Sequence, residues 1–188
     1  MPLLAALSAA MILGFLSARG RYENLLAQQI WPLNAPEIVA ISNSPVQFDS
    51  TVLLLGDSRM AQWHLPQLAG WRVVNAGTGG LTTGQLRLCA PKLLDEFHPD
   101  AVVVEVGIND LKYLGLRPEM ASQIVSLAAS NLTAVVQECV ARHCKVIVLE
   151  TWPASRPELA RRLVWNAAIP VSGAQLAQPP FQAVELVV

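Results

Sequence analysis

From residue 51 onward, short apolar runs alternate with stretches of helical spacing. The runs at 51–55 (TVLLL), 71–75 (WRVVN), 101–106 (AVVVEV), 145–150 (KVIVLE) and 183–188 (AVELVV) are rich in β-branched side chains and show little polar alternation, as strands buried on both faces do. Between them, 60–68, 83–97, 119–143 and 157–176 repeat apolar residues at helical spacing, with Pro or Gly near several ends, which predicts helices. Strand and helix in alternation predict five parallel strands joined by crossover helices, a three-layer α/β/α domain over 51–188.

The start of the chain follows a different pattern. Residues 2–18 (PLLAALSAAMILGFLSA) carry no charge and are closed by Arg19 and Arg21. About seventeen apolar residues is the lower limit for crossing a bilayer, and Ser17-Ala18 also suits a small-residue cleavage site. Residues 1–21 therefore read as a signal peptide or a membrane anchor, and the chain as exported or membrane-anchored rather than cytoplasmic. The basic residues follow the apolar run instead of preceding it, which favours a cytoplasmic C-terminal side, so both topologies stay open. Pro32, Pro36 and Pro45 break up 22–50, which reads as a linker.

Composition narrows the function. The 188 residues suit one domain with a sizeable core. Hydrophobic residues reach 53% and charged residues only 14%, against about 25% charged in ordinary soluble domains, and the N-terminal segment accounts for part of that difference. The net charge of -1, with no basic run, argues against nucleic acid as a partner. Cys89, Cys139 and Cys144 form no C-x-x-C doublet, so a zinc site is not expected, and nothing else in the sequence implies a metal or organic cofactor. Cys139 and Cys144 can pair in an exported domain or remain buried thiols. Oligomeric state has no signature in the sequence.

Ligands of open parallel sheets bind at the carboxyl ends of the strands. Three of these ends carry polar or glycine-rich segments: Gly56-Asp57-Ser58-Arg59, Asn75-Ala76-Gly77-Thr78-Gly79-Gly80 and Gly107-Ile108-Asn109-Asp110. A serine at a tight strand-to-helix turn presents its hydroxyl to solvent, which makes Ser58 a candidate nucleophile. A developing oxyanion needs donors fixed before the reaction, and the Gly80 backbone N–H and the Asn109 amide can supply them. Each motif alone is commonplace in loops. Together, in order and at successive strand ends, they supply the parts of an acyl-transfer site.

The segments LLLGDSRMAQW, VVNAGTGGLTT and VVVEVGIND resemble the first three signature blocks of the GDSL/SGNH hydrolases. The resemblance implies that Ser58 is the nucleophile and also donates its backbone N–H to the oxyanion, with Gly80 and Asn109 as the other donors. It implies a flavodoxin-like sandwich with strand order 2-1-3-4-5, and a small-molecule ester as substrate: a carboxyl ester, a lipid or thioester acyl group, or an acetylated carbohydrate. Arg59 departs from the family's usual leucine or isoleucine, and Gly79 from its serine. The fourth block, Asp-x-x-His after the fifth strand, supplies the general base and its orienting carboxylate in the family, and no such block follows the run at 183–188 in this sequence. The apolar run at 183–188 leads us to expect a chain cut short before that block and nearly inactive by itself. His64, His98 and His143 are poor substitutes: the first is expected to point about 120° away from Ser58 around one helix, and the others are expected near the opposite rim.

Two other readings compete. A nucleotide-binding domain fits the glycine cluster only loosely, because 77–84 lacks G-x-G-x-x-G and no Gly-Lys-Ser/Thr follows. A non-catalytic relative that binds an acylated or glycan ligand without cleaving it fits the missing histidine.

Overall fold

The computed structural model describes residues 2–42, 48–65 and 68–150. It opens with α1 (Pro2–Ile30), followed by β1 (Ile41–Ser42), β2 (Ser50–Gly56), α2 (Ser58–Ala61), β3 (Trp71–Asn75), α3 (Thr83–Phe97), β4 (Ala101–Glu105) and α4 (Ile108–Leu111). Two 3-10 turns, Lys112–Gly115 and Pro118–Met120, lead into α5 (Ala121–Ala141) and β5 (Lys145–Val148).

Four strands run parallel in the order β3-β2-β4-β5, which is the expected 2-1-3-4. A further strand was not expected. It is the two-residue β1, paired antiparallel with β3 through Ile41–Asn75 and Ser42–Val74, so the sheet is mixed rather than wholly parallel. The short antiparallel segment covers part of the outer edge of β3. The run at 183–188 and the helix at 157–176 lie outside the described residues.

Period-two alternation sorts β2 between two apolar layers. Leu53 and Leu55 join Val74, Val102 and Val104 in the larger core, beneath Leu86, Leu93 and Leu94 of α3 and Val135 and Cys139 of α5. Val52 and Leu54 face the other way, with Val73 and Met60. Helix α5 is long and apolar enough to cross a membrane, but Ile124, Ala128, Asn131, Val135 and Cys139 form a buried stripe along it, as a helix laid on a sheet requires. Cys89, Cys139 and Cys144 are buried free thiols.

Two expectations about the helices need correction. Helix 60–68 is replaced by the four-residue α2; Pro66 disfavours helical backbone at the residue before it. Residues 22–50, expected as a linker, instead supply the last turns of α1 and the strand β1. Leu26 and Ile30 sink into a cluster with Tyr113, Leu114, Leu116 and Ile124, and this burial carries the helix past Arg21.

Candidate active site

Because β2, β3 and β4 are parallel and in register, Leu54 beside Asn75 and Gly56 beside Glu105, their carboxyl ends open on one rim. Ser58 is the first residue of α2, half-buried, directly after the N-cap Asp57, whose side chain accepts from the Arg59 backbone N–H at 3.0 Å. Gly80 lies in the loop after β3 with a φ of 79°, a left-handed conformation that favours glycine. Asn109 lies in α4, after Gly107 at a φ of 131°, and is only 2% exposed.

The three loops are bonded to one another. Between the first and second, the Thr78 N–H donates to the Gly56 carbonyl at 2.9 Å. Between the second and third, the Asn109 Nδ2 donates to the Leu81 carbonyl at 2.8 Å. Between the first and third, the Asp57 N–H donates to the Glu105 carbonyl at 3.2 Å. Two glycines permit this closeness: a Cβ on Gly56 would overlap the Glu105 carbonyl oxygen, and one on Gly77 would overlap the backbone of Met60 and Ala61. The structure thus brings the segments bearing Ser58, Gly80 and Asn109 to one place. It also orients the Asn109 amide, since one of its two hydrogens is held by Leu81 and the other remains to donate.

Beneath this rim lies a charge cluster that the sequence pattern did not reveal. Asp57 is fully buried and Glu105 is 4% exposed, and Arg59 reaches both, with Nη2 at 3.3 Å from Asp57 Oδ2 and Nε at 3.3 Å from Glu105 Oε1. Burial raises the Glu105 carboxyl above its ordinary pKa; Arg59 opposes that rise and Asp57 adds to it. Arg59, a departure from the family pattern, thereby gives both buried acids a cationic partner. The lone acid within AVVVEV was the available signal.

A second buried acid fastens the other side. Asp110, 1% exposed, accepts from the Thr83 N–H at 3.0 Å and the Thr83 hydroxyl at 2.6 Å. Asn131 of α5 donates to the same hydroxyl at 3.3 Å, and Arg87 donates to Asn131 at 3.3 Å. Burial raises the pKa of Asp110 despite the lowering effect of the Thr83 bonds. Thr82 caps α3 in a capping box with Gln85. The start of α3, immediately after Gly80 and Leu81, is thereby held from both sides.

The histidines do not gather here. His98 and His143 end α3 and α5 in left-handed conformations with φ of 43° and 61°, at the opposite rim. His64 is exposed and lies beyond the end of α2, so the expected placement around a shared helix does not apply. Among the described residues there is no cluster of three or more His, Cys, Asp and Glu suited to a metal.

Residues 50–178 match the family model of the GDSL-like lipase/acylhydrolase family. Among curated proteins, the chain is 33% identical over 107 residues to an arylesterase of Vibrio mimicus, covering 49% of this chain and 51% of that protein. It is also 33% identical over 114 residues to the esterase TesA of Pseudomonas aeruginosa, covering 53% of each. The chain thus spans about half the length of the curated relatives it matches. Among solved structures, a crystal structure of TesA is 31% identical with a TM-score of 0.42, covering 53% of this chain and 59% of that one. A psychrotrophic esterase EstA from Pseudoalteromonas sp. is 25% identical with a TM-score of 0.42, covering 62% and 68%.

Proposed function

The chain belongs to the GDSL-like lipase/acylhydrolase family, and on that premise we propose that it is the core of a carboxylic ester hydrolase working by two-step acyl transfer. Ser58 attacks the ester carbonyl carbon, the alcohol leaves, and water then releases the acid from the acyl-serine. The backbone N–H groups of Ser58 and Gly80 and the free hydrogen of the Asn109 amide hold the carbonyl oxygen as it becomes negative. The observation that carries this reading is the set of bonds joining the three loops, above all Asn109 Nδ2 to Leu81 O, which aims a donor before any substrate arrives.

The reaction also needs a base to take the Ser58 proton, and a histidine is the group suited to it at neutral pH. His98 and His143 lie at the far rim, and the Asp-x-x-His that the sequence does contain, Asp95 to His98, ends α3 at that same far rim, away from Ser58. The activity is therefore proposed for a protein that carries such a pair in addition to these residues, while residues 1–188 alone hydrolyse esters very slowly. No metal or organic cofactor enters the scheme. A relative that binds acylated ligands without cleaving them is the second reading, favoured by the same missing histidine.

The test is hydrolysis of short-chain p-nitrophenyl esters by the protein extended with an Asp-x-x-His segment, set against Ser58→Ala in the same background. Loss of turnover and of organophosphonate labelling in the variant supports the assignment. Equal turnover in both removes Ser58 from the mechanism.

A further inference from the structure

We propose that α1 tethers the protein to a lipid bilayer with the catalytic rim turned toward the lipid surface, so that the ester it meets is one resident in that surface. The argument begins with what α1 touches. Residues 6–18 are exposed all the way around the helix, including Leu7, Met11, Ile12, Leu13, Phe15 and Leu16 at 44% to 69%. A helix apolar on every side cannot be covered by a groove on a partner protein, which takes one stripe and leaves the rest in water. A hydrocarbon phase covers all of it. Residues 2–18 extend about 25 Å as a helix, close to the roughly 30 Å hydrocarbon thickness of a bilayer. Arg19 and Arg21 then fall at the level of the lipid headgroups.

The other half of α1 sets the orientation. Every contact described for it lies at the carboxyl rim of the sheet. The Thr82 hydroxyl donates to the Gln29 carbonyl, and the Ile30 carbonyl packs against Gly84, both at the start of α3. Glu23 pairs with Arg117, between the two 3-10 turns that follow β4. Leu26 and Ile30 pack among Tyr113, Leu116 and Ile124, and Trp31 meets Tyr113 edge-on at 5.7 Å. The helix is unbroken from Pro2 to Ile30, so Arg19 to Ile30 holds the rim within about 18 Å of the headgroups. That rim also exposes Trp31 at 37%, Leu33 at 95% and Trp63 at 44%, and amphipathic rings of this kind favour the membrane interface. The tether stands without the esterase reading; only the consequence for substrate rests on it.

The experiment measures orientation without turnover. The native thiols are buried, so a single dye can be placed at Gln62→Cys, exposed beside α2 on the rim, or at Lys145→Cys, exposed at the amino end of β5. The two sites differ in height by on the order of 15–20 Å, the length of a strand. The full chain is reconstituted into phosphatidylcholine/phosphatidylglycerol vesicles carrying a headgroup energy acceptor. Transfer is expected to be greater from residue 62 than from residue 145. Equal or reversed efficiencies overturn the orientation. The double variant Ile12→Glu, Leu16→Glu should no longer float with vesicles while its thermal unfolding stays unchanged, because those side chains are exposed. Flotation that survives those glutamates, failure of the unaltered chain to float, or recovery from cells only of a protein beginning after Ala18 each overturns the tether.

Discussion

The side-chain amide of Asn109, on the loop after β4, donates at 2.8 Å to the carbonyl of Leu81, on the loop after β3. Both groups are buried, so the bond is shielded from competing water and the amide keeps one orientation whether or not substrate is present.

Asn109→Ala removes that donor and leaves the Leu81 carbonyl without it. Ester turnover by the protein extended as above is expected to fall on the order of a hundredfold or more, the usual cost of losing an oxyanion donor, with kcat affected more than KM. Steady-state kinetics decide this, and an unchanged kcat removes Asn109 from the oxyanion site.

Gly77→Ala should damage the fold itself. The added methyl overlaps the backbone of Met60 and Ala61, which has no flexible end to move aside. A loss of about 2–3 kcal/mol is expected, in the range of overpacked cores, measured as a lower midpoint in urea unfolding. A stability equal to that of the parent would show that the loop after β3 approaches α2 less closely.

Arg59→Leu, which brings back a side chain usual in the family, is expected to be destabilising here because it leaves Asp57 and Glu105 buried without their cation. The loss at neutral pH is expected at about 2–4 kcal/mol. Glu105 has a pKa raised by burial and titrates higher still once Arg59 is gone, so the loss should shrink as the pH is lowered and the carboxyl takes up a proton. Urea unfolding of both proteins at several pH values gives the comparison; a loss independent of pH contradicts the role assigned to Arg59.

Asp110 gives a slope of the opposite sign from that of a salt-bridged carboxylate. Its folded pKa lies above the unfolded value of 3.8, so the stability it contributes is complete below that value and is lost as the pH rises through the folded pKa. Asp110→Asn resembles the protonated form and should flatten that part of the stability–pH curve. A curve of unchanged shape would mean that Asp110 is not the group responsible.

Much of this was legible in the order of residues along the chain. The apolar runs located β2, β3, β4 and β5 to within a residue or two, because a strand buried on both faces has to be apolar almost throughout. The loops bearing Ser58, Gly80 and Asn109 were found for a related reason: polar and glycine-rich segments at the ends of such runs cannot be core. Sequence reading failed at α2 and at β1. The former is cut to four residues and the latter is an edge pairing of two residues, both too short to leave a periodic trace.

The sequence by itself determined an α/β chain with a serine, a glycine turn and an asparagine at successive strand ends, and an uncharged N-terminal helix. Only the tertiary structure decided that Arg59 spans Asp57 and Glu105, that Asp110 holds Thr83, and that the end of α1 rests on the carboxyl rim of the sheet. These relationships join residues up to 94 positions apart, as Glu23 and Arg117 are. Local periodicity reports whether a side chain is buried, but a buried charge acquires its partner only when the sheet and its loops have closed around it.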